Sequence, residues 1–211
     1  MKEHPILFSG PMVRAILEGR KTQTRRVITP QPTPHPANEH FLAWVKNRYG
    51  ADEMMVTDSL IEQCRHGSVR DRLWVRESLR WTDRLTYAAD GTEVPNDQIP
   101  DDAKVAILTT APSIFMPRWA SRITLEITKV RVEQLRLLSE EDAVAEGAGA
   151  MGGAIIKAER FGGYMPAAVY QFAGGWDALN AKRGYSWNSN PWVWVIEFKR
   201  LTSAGRGDND D

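Results

Sequence analysis

Apolar spacing divides the chain into short elements. Ile6 to Ser9 is an apolar run that reads as a strand. Beyond Gly10-Pro11, residues Met12, Val13, Ile16 and Leu17 recur at helical spacing and define one buried face. Pro11 stands at the start of that helix, where its missing N–H does no harm. Gly19 closes the helix as a left-handed residue, and Val27-Ile28 begin a further strand. Thr29 to Pro36 alternates proline with polar residues and reads as a stiff lead unable to pair in a sheet. A helix around Phe41 to Arg48 and a weakly patterned hairpin follow. Leu73, Val75 and Glu77 fall on one face of a strand, Trp74 and Arg76 on the other. The clearest strand is Arg122 to Leu135. Ile123, Leu125 and Ile127 alternate with polar residues, and the apolar phase then flips to Val130 and Val132, which predicts a bulge at about Lys129.

Ser139-Glu140-Glu141-Asp142 has the pattern of a capping box opening a short helix that stops at Gly147. Residues 167 to 182 read as a helix weakened by Gly174-Gly175, and a turn over Trp187 to Pro191 leads into a last strand, Trp192 to Leu201. Strands, short helices and long loops without repeats or a linker predict one α+β domain over residues 1–201. The expected core is a small β-barrel flanked by short helices. Long insertions are expected at about 29–70 and 83–117, the second as a surface flap, and residues 202–211 as a disordered acidic tail.

Composition narrows the setting. A chain of 211 residues suits one well-buried domain, and 27 Lys plus Arg against 27 Asp plus Glu leaves no global field to attract nucleic acid or membrane. Any polyanion contact is therefore local. The single cysteine, Cys64, forms no internal disulfide and suits a reducing cytoplasm, and no apolar run reaches membrane-span length. The four histidines, His4, His35, His40 and His66, match no zinc spacing together with Cys64. They read as solvated loop residues, and no metal or organic cofactor is expected. Eight tryptophans serve mostly as core, and some suit a pocket for a flat ligand.

The densest chemistry lies in Gly19-Arg20-Lys21-Thr22-Gln23-Thr24-Arg25-Arg26, which holds four cations and no acid. Like charges nearby depress a lysine pKa, and a lysine able to lose its proton can serve as base toward the Thr24 hydroxyl. The same cluster is also what a solvated basic turn after a helix looks like, with cations set against the helix dipole. Glu77, pointing inward near a strand end, needs either a job or an arginine partner.

Gly19, Lys21, Thr24 and Arg26 match the G-x-K-x-x-T-x-R signature of the ASCH family, a branch of the PUA-like superfamily of β-barrels. Asp71-Arg72-Leu73-Trp74-Val75-Arg76-Glu77 and Asn190-Pro191-Trp192-Val193-Trp194-Val195 fit the same family, so most of residues 4 to 201 resembles its phage-type members. Arg70 departs from the glycine expected there. The resemblance implies a PUA-like barrel and an amidohydrolase that removes the acyl group from N4-acetylcytidine-like substrates, with Lys21 as base, Thr24 as nucleophile and Glu77 as acid. It places Gly19, Arg26, Trp74 and Arg76 around a modified nucleoside or nucleobase. RNA binding or cleavage through the basic motif is the alternative, because PUA-like barrels widely bind RNA. A ligand-binding barrel without chemistry is the third reading.

Overall fold

In the computed structural model, which describes residues 1–35, 38–46, 52–54, 61–101, 111–149 and 152–201, the largely apolar final strand lies inside the main sheet. This strand, β12 (Trp192–Leu201), pairs antiparallel with β9 (Thr124–Gln134) on one side and β2 (Gln23–Val27) on the other. β6 (Arg72–Arg76) pairs antiparallel with β9, and β1 (Glu3–Leu7) runs parallel to β6. The order is β1-β6-β9-β12-β2. The phase flip in β9 is a register shift: Glu197 faces Lys129 and Phe198 faces Ile127, leaving Thr128 as the extra residue. Both halves of β9 thereby turn their apolar side chains to the same core.

The expected barrel does not form. β1 and β2 are edges, no ladder joins them among the described residues, and none of the sheets closes on itself. The α+β class stands; the closed sheet does not. The edges are linked instead by a side chain, Arg26 Nη2 donating to Leu7 O at 2.7 Å. Inward–outward alternation is the same in an open sheet and a barrel, so closure is not encoded in that pattern.

One face of the sheet presents Leu73, Val75, Leu125, Ile127, Trp194 and Ile196 to α1 (Gly10–Leu17), which adds Val13 and Ile16. The other face presents Val27, Val193 and Val195 to α2 (Glu140–Ala145) and α3 (Ala167–Asn180). Ser139 caps α2 by accepting from the Asp142 N–H at 3.1 Å. β10 (Ile155–Ala158) and β11 (Gly163–Pro166) form a hairpin that leads into α3.

The insertions carry more order than their composition suggests. Thr33–His35 is a strand, β3, paired with Asn38–Lys46, β4, which also pairs with Asp52–Met54, β5. The helix expected around Phe41 is thus a strand as far as Lys46, in keeping with its Phe, Trp and Val. Pro34 is tolerated because β3 lies at the edge of its sheet. The described part of the second insertion is not a surface flap: Leu85, Tyr87, Val94 and Met116 are buried in a separate core with Leu79, carried in part on β7 (Leu79–Trp81) and β8 (Leu85–Tyr87), while residues 102–110 lie outside the described residues. The acidic tail, residues 202–211, lies outside the described residues.

Arg70 adopts φ +75°, the left-handed region, while its N–H donates to Ile127 O at 2.9 Å. A side chain there costs roughly 1–2 kcal/mol, partly offset by the entropy a glycine would lose on folding. Arg70→Gly is therefore expected to raise the melting temperature by about 1–4 °C in a calorimetric scan. An unchanged or lower value would show that the Arg70 side chain compensates the strain.

Candidate functional site

α1 ends as its sequence indicates, with Gly19 in the left-handed conformation at φ +76°, and the chain turns directly into β2. Thr24 and Arg26 therefore sit on a strand rather than a helical turn. Facing Ile196 and Trp194 across the ladder, they share one side of β2, and Arg25, facing Val195, takes the other.

Lys21 is 2 % exposed. Its Nζ donates to Gln23 O at 2.8 Å, Glu146 O at 2.7 Å and Glu146 Oε2 at 2.7 Å. Burial lowers its pKa, the Glu146 carboxylate pulls it back up, and Arg26 and Arg25 push it down further. Arg20 is not among these causes; it lies at the surface, paired with Glu18. The Phe8 ring lies 5.6 Å from Lys21 Nζ and 5.2 Å from the Arg26 guanidinium carbon, which holds the two cations to one patch.

Arg25 is a buried strut. It contacts Glu133 Oε1 at 2.5 Å, Asp142 Oδ2 at 2.7 Å and Glu146 Oε1 at 3.2 Å. Glu146 is thus clamped between Arg25 and Lys21 at the end of α2. Gly147 follows at φ +97°, where a Cβ would stand 3.1 Å from Ala15 Cβ and 3.4 Å from Lys21 Cβ. A left-handed glycine in this position lets α2 press its last turn against the motif.

A cavity of about 580 Å³ opens beside this cluster. The edge strands β1 and β2 form one wall and α3 the other, through Phe172, Gly175 and Trp176. Thr24, Arg26 and Glu146 line it, and so does Arg76 from β6. Arg65 and His66, from the first insertion, complete one side. His66 is not the solvated loop residue expected. Burial, with Arg26, Arg65 and His4 nearby, lowers its pKa to about 4, so it is neutral at pH 7.

The other predicted residues lie elsewhere. Glu77 does not line the cavity. It is 1 % exposed and takes a paired contact from Arg122, Nε to Oε1 at 2.9 Å and Nη2 to Oε2 at 3.0 Å. Arg122 also bonds Asp90 and lies 3.9 Å from the Tyr87 ring centre. Burial raises the Glu77 pKa, and the bonds from Arg122 oppose it. Trp74 is covered by Arg76 and Arg118 at 5.5 and 5.7 Å, and Gly19 is exposed beyond α1. Among the described residues no group of three or more His, Cys, Asp or Glu side chains is placed to hold a metal ion, and no helix is long and apolar enough to cross a membrane.

Glu146 and the Arg65-His66 pair are the site residues that sequence reasoning missed. Glu146 has a signal in retrospect: an acid in the last turn of a short helix opposes the dipole and calls for a cation. Nothing in the first insertion marks Arg65 or His66.

The chain matches no protein-family model and no curated protein. It is weakly similar in structure to an ASCH-domain protein from Lactobacillus crispatus JV V101, at 14% identity and a TM-score of 0.43, over 94% of this chain and 79% of the other. So distant a likeness transfers no residue role.

Proposed function

We propose that the chain is an amidohydrolase acting on N4-acylated cytosine compounds, with Thr24 as nucleophile. The observation that carries the reading is the buried Lys21–Glu146 pair, Nζ to Oε2 at 2.7 Å, with Glu146 and Thr24 both lining the cavity. The resemblance of Gly19, Lys21, Thr24 and Arg26 to the ASCH signature supports it independently.

In the tautomer with its proton on Glu146, neutral Lys21 accepts the Thr24 hydroxyl proton as Oγ attacks the acyl carbon. Lys21 must release one of its three present acceptors to do so. The C–N bond then breaks, the electron pair leaves on the exocyclic nitrogen, and Glu146 protonates it. Water hydrolyses the threonine ester to the free acid, and the pair returns to its starting protonation. Arg26 lies on the same side of β2 as Thr24 and is suited to holding the developing oxyanion. The acid role passes from Glu77 to Glu146 because Glu77 is taken up by Arg122 and stands outside the cavity lining. Phe172 and Trp176 supply apolar surface for a flat base.

The test is incubation with a panel of N4-acylated cytosines, cytidines and cytidine monophosphates, followed by ultraviolet absorbance. Release of the free base or nucleoside is the expected result. No turnover of any member would remove the proposal.

A further inference from the structure

The cavity carries more positive charge than the hydrolytic step, which draws on Arg26 alone, uses. Among the described residues five arginines line it (Arg25, Arg26, Arg65, Arg76 and Arg183) against one acid, Glu146. Arg25 is already neutralised by Glu133, Asp142 and Glu146, and Glu146 also serves Lys21. The remaining arginines thus have no carboxylate within the cavity to themselves.

Donor accounting identifies the same place. Among the described residues Arg26 Nε, Arg76 Nε and His66 Nε2 are buried without a hydrogen-bond partner, as are His4 Nε2, Arg72 Nε and Trp187 Nε1, whose residues do not line the cavity. A buried polar atom left unpaired is costly, and several around one space indicate a missing partner. The three residues line one cavity, with the Arg76 guanidinium also anchored through Nη2 to Ile114 O and lying against Trp74. Arg26 donates to Leu7 O, and Leu7 is the ladder partner of Arg76. Arg26 and Arg65 in turn are close enough to His66 to act on its charge. Three sections of chain, β2, β6 and the first insertion, therefore each contribute a cavity-lining residue with an unpartnered nitrogen.

We infer that Arg26, Arg76, Arg65 and His66 form a phosphate subsite, so that the cavity takes a nucleoside monophosphate in preference to a nucleoside. Forked guanidinium groups suit phosphate oxygens, and a phosphate monoester has enough acceptors for all three nitrogens. The inference rests on the cavity being the substrate site proposed above, but not on the hydrolytic step. A concave space walled by α3 favours a single nucleotide over a polymer strand, which needs an open groove.

Calorimetric titration of the full chain tests it, with cytidine monophosphate, cytidine, inorganic phosphate and a short oligoribonucleotide as probes. Cytidine monophosphate is expected to bind at least about tenfold tighter than cytidine, with inorganic phosphate competing. Arg76→Gln should remove most of that difference. Arg65 is exposed, so Arg65→Gln leaves the fold intact and should reduce the difference severalfold even if Arg76→Gln fails to fold. Equal binding of nucleotide and nucleoside, or no binding of either phosphate or nucleotide, overturns the subsite. An oligoribonucleotide that binds tighter than the mononucleotide also overturns it, in favour of a polymer grip. The ligands are not hydrolysable amides, so failure of every acylcytosine to turn over leaves this result standing. Turnover without preference for the phosphorylated substrate removes the subsite alone.

Discussion

Thr24→Val is expected to fold and to lose at least about a thousandfold in kcat on the best N4-acylcytosine, roughly 4 kcal/mol of barrier. Valine keeps the β-branched shape on β2 and removes only the attacking oxygen. The shape matters because Thr24 is 3 % exposed and faces Ile196 across the ladder. Thr24→Ser retains the oxygen and part of the activity, with some loss because the missing methyl frees the χ1 rotamer. Thermal melting establishes that both variants fold. Turnover of Thr24→Val within about tenfold of wild type, roughly 1.4 kcal/mol, would assign the attack to water and leave Thr24 a positioning role.

The second large effect separates two carboxylates. Glu146→Gln is expected to lower kcat by about a hundredfold to ten-thousandfold, the usual worth of a positioned proton donor. Glu77→Gln should leave kcat nearly unchanged and instead lower stability, because Arg122 loses its charged acceptor. Hydrogen bonds to charged groups are worth about 1.5–3 kcal/mol, a fall in melting temperature of roughly 3–12 °C. Parallel kinetics and melting on the two variants decide the matter. Activity that survives Glu146→Gln but collapses in a folded Glu77→Gln would return the acid role to Glu77.

Local pattern carried much of the fold. The bulge in β9 was legible because the residues on either side of it, Ile127 and Val130, must face one core, and the alternation breaks between them. The C-terminal strand was legible to its end residues, because Trp192–Leu201 is paired on both sides within the sheet and its first half is apolar on both faces. Of the candidate site, Lys21, Thr24 and Arg26 were legible because they crowd into one short segment. Glu146 was not, since it meets Lys21 from 125 positions away. Barrel closure misled for a related reason: it depends on how two edge strands meet, and no residue in β1 or β2 records that. The first insertion misled because polar, proline-rich composition describes its surface and says nothing of what Arg65 and His66 approach.

An open sheet exposes unpaired backbone groups along its outer strands, and such edges recruit strands from other molecules. Here both edges look onto the same space. β1 contains Pro5, which has no N–H to offer, and its Leu7 carbonyl is already taken by Arg26. A strand approaching either edge from another chain would have to settle against Arg26 and Arg76, whose charges repel one another and whose nitrogens a neutral backbone satisfies poorly. Arg26, on the edge strand β2, therefore also sets a fixed charge against edge-to-edge pairing of the sheet.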